Sequence, residues 1–180
     1  MAISDRTIKR LKMLNDKLSA YKEHPEKIPD DEREEIALMF ASTFKEFEEF
    51  AELSMLYLGF QLSPMQRDIA RYMQYSPLKR MVQAQRGEAK STIAVIYCVW
   101  RLIRDPSSRI MIISAGDNQA SDVALLVIRF IMHWGILCWL RPDASRGDRT
   151  SAGKFDVHGV LKGIDKSASV FCVGITAGFT

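Results

Sequence analysis

Over the first 60 residues the apolar positions recur every three or four. Ile8, Leu11, Leu14 and Leu18 share one helical face, with Lys and Asp between them, so an amphipathic helix is expected there. Pro25 and Pro29 break the period, and Asp30-Asp31-Glu32 opens a second helix with acids at its positive end. Ile36, Phe40, Phe44, Phe47, Leu53, Met55 and Leu56 carry that helix toward Gly59. Phe40, Phe44 and Phe47 form an aromatic stripe, read first as a core or docking face and second as a contact for a neighbouring subunit. Residues 1–59, a helical N-terminal segment, are expected to be mostly surface-exposed.

From residue 60 the pattern changes. Ser63-Pro64-Met65-Gln66 is a helix start, with Ser as cap and Pro at the first helical position; the helix should end at Ser76-Pro77. Residues 79–84 read as a short strand. Residues 89–104 read as a helix apolar nearly all round, hence buried. Asp105-Pro106-Ser107-Ser108 is a turn. Residues 109–114 form a strand whose run Ile110-Met111-Ile112-Ile113 suits burial on both faces of a parallel sheet. Asp117 is expected to cap a helix that includes the apolar stretch from residue 123 and ends near Gly135. After a polar, basic loop at 141–154 come two strand-like pieces, at 155–157 and 169–176. Strand, helix, strand, helix is the α/β pattern.

Composition narrows the class. The chain has 180 residues, 47% hydrophobic and 26% charged, which suits a globular core and excludes a disordered tail, a collagen-like fibre or a coiled-coil rod. Cys98, Cys138 and Cys172 lie far apart, with no C-x-x-C pair, and read as reduced thiols rather than a disulfide frame or zinc site. The first residues carry no apolar signal core. Arg129 sits near the centre of the apolar stretch 123–140, which favours a buried helix over a membrane span. Residues 1–60 hold 9 basic and 13 acidic side chains; residues 61–180 hold 16 basic and 9 acidic. The second part is therefore the one to face an anion.

The segment Ala84-Gln85-Arg86-Gly87-Glu88-Ala89-Lys90-Ser91 joins the expected strand to the buried helix. The phosphate-loop pattern is G-x-x-x-x-G-K-[ST], in which backbone N–H groups wrap phosphate, Lys reaches the β- and γ-phosphates and the hydroxyl holds Mg²⁺. Lys90 and Ser91 fit; Ala84 and Ala89 replace both glycines, and Gly87 lies between them. Alanine is the smallest substitute where backbone must approach phosphate. Arg86 adds a second cation able to bridge two phosphate oxygens. The bland alternative is an exposed helix start without a ligand.

This stretch, together with Val99-Trp100-Arg101-Leu102, Arg104-Asp105-Pro106, Arg109-Ile110-Met111-Ile112-Ile113-Ser114-Ala115 and the tail Ser169-Val170-Phe171-Cys172-Val173-Gly174-Ile175-Thr176, resembles the ATPase domain of phage terminase large subunits, of the short-tailed-phage type with an R-G-x-A-K-S loop. The likeness spans about residues 60–180. It implies an incomplete P-loop NTPase (helicase/terminase-like) core at 60–180 behind the helical segment. It implies ATP and Mg²⁺ as cofactors, and a motor that drives double-stranded DNA into a procapsid. Portal and small terminase subunit would be partners, and the full-length motor would form a ring in the host cytoplasm. By matching positions, ATP would be held by Gln66, Gln85, Arg86, Gly87, Glu88, Ala89, Lys90, Ser91 and Thr92. Arg86 and Lys90 would be catalytic, Ser91 would hold Mg²⁺, and Gln66 would read adenine. Residues 114–120 would lie where such motors touch DNA. Arg141, Arg146 and Arg149 read first as a solvated basic loop and second as phosphate contacts.

An acidic pair that orients Mg²⁺ and activates water at the end of another strand is not found. Asp156 and Asp165 stand isolated, and nuclease acids are missing too. The expectation is an N-terminal piece of a longer protein that binds nucleotide poorly and hydrolyses none. A helicase-like nucleic-acid-dependent ATPase and a non-catalytic α/β interaction module are the rival readings.

Overall fold

A computed structural model describes residues 3–83 and 89–175. Three helices open the chain: α1 (Asp5–Leu18), α2 (Asp30–Thr43) and α3 (Phe47–Tyr57). The Ser4 hydroxyl caps α1 by accepting from the Thr7 N–H at 3.2 Å, and Thr7 Oγ1 donates to Glu49 of α3 at 2.7 Å. The single helix expected over 30–58 is two, because the chain leaves helical geometry at Phe44. Tertiary bonds replace the lost helical ones there: Trp100 Nε1 donates to the Phe44 carbonyl at 2.9 Å, and the Phe47 N–H donates to Gln74 at 2.7 Å. The bend lets α3 fold over the core. Phe40, Phe44, Phe47 and Phe50 are all fully buried, with Phe40 5.1 Å from Trp139 and Phe47 5.4 Å from Trp100. The aromatic stripe is therefore core and not a subunit contact. The N-terminal helices contribute much of the main apolar cluster, which corrects the expectation of a mostly exposed segment.

Helix α4 (Pro64–Tyr75) forms as its sequence requires, with a complete capping box between Ser63 and Gln66. Residues 79–83 then form no strand. Arg80 turns back to close α4: its guanidinium donates to the carbonyls of Met73, Pro77 and Ser76 and to Tyr97 Oη. Leu78 and Met81 stand exposed, and no neighbouring strand pairs this backbone among the described residues. The expected strand–loop–helix setting thus lacks its strand.

Helix α5 (Lys90–Arg104) packs chiefly among α2, α3, α4 and α6. Strand β1 (Ile110–Ser114) follows, then α6 (Asp117–His133), whose N-cap is Gly116 rather than Asp117. Residues Gly135–Leu140 are a separate 3₁₀ helix, so the apolar stretch at 123–140 breaks at Trp134. Among the described residues no single helix is long and apolar enough to cross a membrane. A two-residue strand β2 (Lys154–Phe155), a short α7 (Gly159–Lys162) and β3 (Val170–Gly174) complete the order. The fold is α/β with a small mixed sheet, ordered β1-β3-β2; β1 runs parallel to β3 and β2 antiparallel to it.

The sheet is covered on one face. Ile110, Ile112 and Cys172 pack toward the core, where α6 lies against β1 and β3. Met111 is 61% exposed and Ile113 57%, so β1 is not buried on both faces as its continuous apolar run suggests. At the far end of β3, the Gly174 N–H donates to Asp117 Oδ1 at 2.7 Å, and a Cβ at Gly174 would overlap the Asp117 amide.

Distant segments are sewn together by arginines. Arg33 is 1% exposed and donates to the carbonyls of Trp139 at 2.7 Å and Pro25 at 2.6 Å. Arg141 donates to the Lys22 carbonyl at 3.2 Å, and Arg146 pairs with Asp30 at 3.0 Å. Arg141 is therefore a structural tie, while Arg146 pairs with Asp30 from an exposed position, as a solvated loop residue does.

Candidate nucleotide site

The expected phosphate-binding residues divide into two groups. Gln85, Arg86, Gly87 and Glu88 lie outside the described residues, as does Ala84. Ala89, Lys90, Ser91 and Thr92 are described, at the start of α5. Ala89 is its N-cap, with φ 51° and ψ 31°, and is the one non-glycine residue with positive φ among those described. L-residues avoid this left-handed region because Cβ crowds the next carbonyl, at a cost of about 1–2 kcal/mol. Alanine thus adopts the conformation that glycine would take without strain.

The Ala89 side chain makes no cap, and the first-turn N–H groups of a helix point out from its N-terminal end. The positive end of the helix dipole points the same way. Lys90 and Thr92 are half-buried and Ser91 is exposed. A cation and two hydroxyls on one turn at the positive end of a helix form a set suited to phosphate oxygens and a hydrated cation.

Gln66 lies on α4, which packs against α5. It is 8% exposed, and its Oε1 accepts the Ser63 N–H at 2.9 Å while its own N–H donates to Ser63 Oγ at 3.3 Å. The carboxamide is oriented by the capping box, and one acceptor site of its oxygen is in use. Beside Thr92 opens an apolar cleft of about 280 Å³ lined by Tyr57, Val95, Leu126, Arg129 and His133. Tyr57 stacks on Trp134 with ring centres 4.6 Å apart. Sequence reasoning did not single out Tyr57 or His133. Their signal was the pair Arg129 and His133, one turn apart at the end of α6.

The isolated acids have structural partners. Asp156 is 3% exposed; Arg149 Nε donates to it at 2.7 Å and Lys162 Nζ at 2.8 Å. Burial pushes its pKa up, but the Arg149 and Lys162 hydrogen bonds outweigh this and bring it down to about 2. Asp165 pairs with Arg109 at 2.7 Å. His158 is 3% exposed, and burial, then the charge of Arg33, lowers its pKa. Burial raises the Cys98 thiol to about 11, so it stays protonated.

No family model matches the chain. It is similar to a terminase large subunit. That relative comes from Enterobacteria phage T3 and is 38% identical over 116 residues, which is 64% of this chain. The match covers 19% of the phage T3 protein, so the chain spans about a fifth of the curated relative's length.

Proposed function

We propose that this chain is the nucleotide-binding part of a DNA-packaging motor of the terminase type, an ATPase that drives double-stranded DNA into a procapsid. The similarity to the phage T3 terminase large subunit supports the class. The observation that carries the site is Ala89, held left-handed directly before Lys90 and Ser91 at the start of α5. In this reading Lys90 neutralises the β- and γ-phosphates and Ser91 holds Mg²⁺ through its hydroxyl. Thr92 and the α5 amides complete the cradle with Gln85, Arg86, Gly87 and Glu88. Gln66 reads the adenine edge, and Arg86 stabilises charge on the γ-phosphate. The bound magnesium nucleotide supplies the phosphoryl group; the acids that would orient metal and water belong to other parts of a longer protein, as does a nuclease. Such a motor would work in the host cytoplasm as a ring, with portal and small subunit as partners.

The test is titration with a fluorescent ATP analogue and Mg²⁺. Weak saturable binding, lost in Lys90→Ala and unchanged in Lys12→Ala on α1, is expected, without steady hydrolysis. Binding that ignores Lys90→Ala would overturn the site. One observation favours the second reading, a non-catalytic interaction module: residues 79–83 form no strand and α5 packs among helices. That reading requires no nucleotide binding at all.

A further inference from the structure

The uncovered face of the sheet has its own chemistry. Register puts Met111 of β1 beside Phe171 of β3, and Phe171 beside Lys154 of β2. Neighbours in register point to the same side of a sheet, so these three form one row across all three strands. Arg109, two residues before Met111, falls on the same side. A cleft of about 520 Å³ opens over this row, lined also by Arg149 and Ser167. The Lys154 ammonium stands 5.8 Å from the Phe171 ring centre. Three cations line the cleft (Arg109, Arg149 and Lys154) and no carboxylate does, although Asp165 and Asp156 pair with the two arginines from beside it. Arg109 uses Nε on Asp165 and Nη1 on Ser167, two of its five donors.

We infer that this open sheet face binds single-stranded nucleic acid, with an unpaired base on the Phe171–Met111 floor and the flanking phosphates on Arg109, Arg149 and Lys154. An apolar floor with a basic rim fits a strand whose bases are splayed out, because every base offers a π-face and every link a phosphate. A duplex hides its bases and would leave the floor unused. A lining that carries cations and no carboxylate, with Lys154 exposed at its edge, is what selects a polyanion over an apolar protein segment. The inference does not depend on the Lys90 site.

The experiment is fluorescence anisotropy of a labelled oligothymidylate of about 15 nucleotides, a usual span for such platforms. It is run on the 180-residue chain without ATP, between roughly 50 and 200 mM salt. Three phosphate contacts give a log–log salt slope of about −2, falling by about 0.7 in Lys154→Glu. Phe171→Ala should weaken binding by about 5- to 150-fold, the range for one lost stack. Lys154 is exposed, so Lys154→Glu keeps the test valid where Phe171→Ala fails to fold by circular dichroism. Lys90→Ala should leave binding unchanged, which separates this face from the nucleotide site. No binding, equal loss in Lys12→Glu on α1, or a duplex bound as tightly would each overturn the inference. So would sedimentation showing the chain paired through this face, with the pair dissolved by Met111→Lys.

Discussion

Replacing Ala89 by glycine should stabilise the chain, although glycine ordinarily weakens a helix. Ala89 holds φ 51° and ψ 31° as the N-cap of α5, and it makes no side-chain capping bond that glycine would lose. Relief of left-handed strain is worth about 1–2 kcal/mol. The more flexible unfolded chain takes back about 0.4–1 kcal/mol. The net gain is about 0.5–1 kcal/mol, or a rise in Tm of about 1–4 °C for a chain of this size. The paired control is Ala94→Gly, inside the same helix, which should lose about 1 kcal/mol. Thermal and urea unfolding followed by circular dichroism at 222 nm would measure both. Opposite signs at the two positions are the expected result. A loss at position 89 equal to that at 94 would refute the left-handed assignment and the phosphate-cradle argument built on it. In the proposed function the same variant should bind the ATP analogue at least as well as the parent.

Four further predictions concern the scaffold. Asp156→Ala should destabilise by about 3–5 kcal/mol, since it strands Arg149 and Lys162 beside a buried site; urea unfolding reads it. Because the native pKa of Asp156 lies near 2, below its unfolded value, its stabilisation holds above about pH 4 and is lost as pH falls toward 2; Asp156→Asn should flatten acid unfolding over that window. His158 has the opposite charge type but also a lowered native pKa, so the unfolded chain takes up the proton first and stability falls as pH drops through about 6.5; in His158→Gln that slope between pH 7 and 5.5 should shrink. Gly174→Ala should cost about 1–3 kcal/mol by driving a methyl group into the Asp117 amide, measured by thermal unfolding.

Local chemistry was legible where a single segment decides it. Ser63-Pro64-Met65-Gln66 specifies a capping box without outside help, and α4 starts there. The apolar run in α5 was rightly read as buried. What failed depended on partners distant in sequence. Phe40, Phe44 and Phe47 keep helical spacing, but Trp100 and Gln74 take over the backbone bonds at the break. Residues 79–83 have strand-like composition, yet a strand exists only with a neighbour, and Arg80 binds the end of α4 instead. The apolar run of β1 matches burial on both faces, while α6 covers one. At the candidate site, the identity of Lys90 and Ser91 could be read from the sequence; the left-handed turn at Ala89 could not, because alanine carries no signal for it.

Arg33 has a consequence for synthesis. Its guanidinium is buried against the carbonyl of Trp139, 106 residues later in the chain. At about 5–20 residues per second, a ribosome makes the partner roughly 5–20 s after Arg33 itself. During that interval α2 carries a cation with the Pro25 carbonyl but not the Trp139 carbonyl to accept from it, next to Phe40, whose aromatic neighbour Trp139 does not yet exist. The nascent N-terminal helices therefore expose Phe40 and its neighbours until the 3₁₀ segment Gly135–Leu140 emerges, and this is the window in which a holdase chaperone would engage the chain.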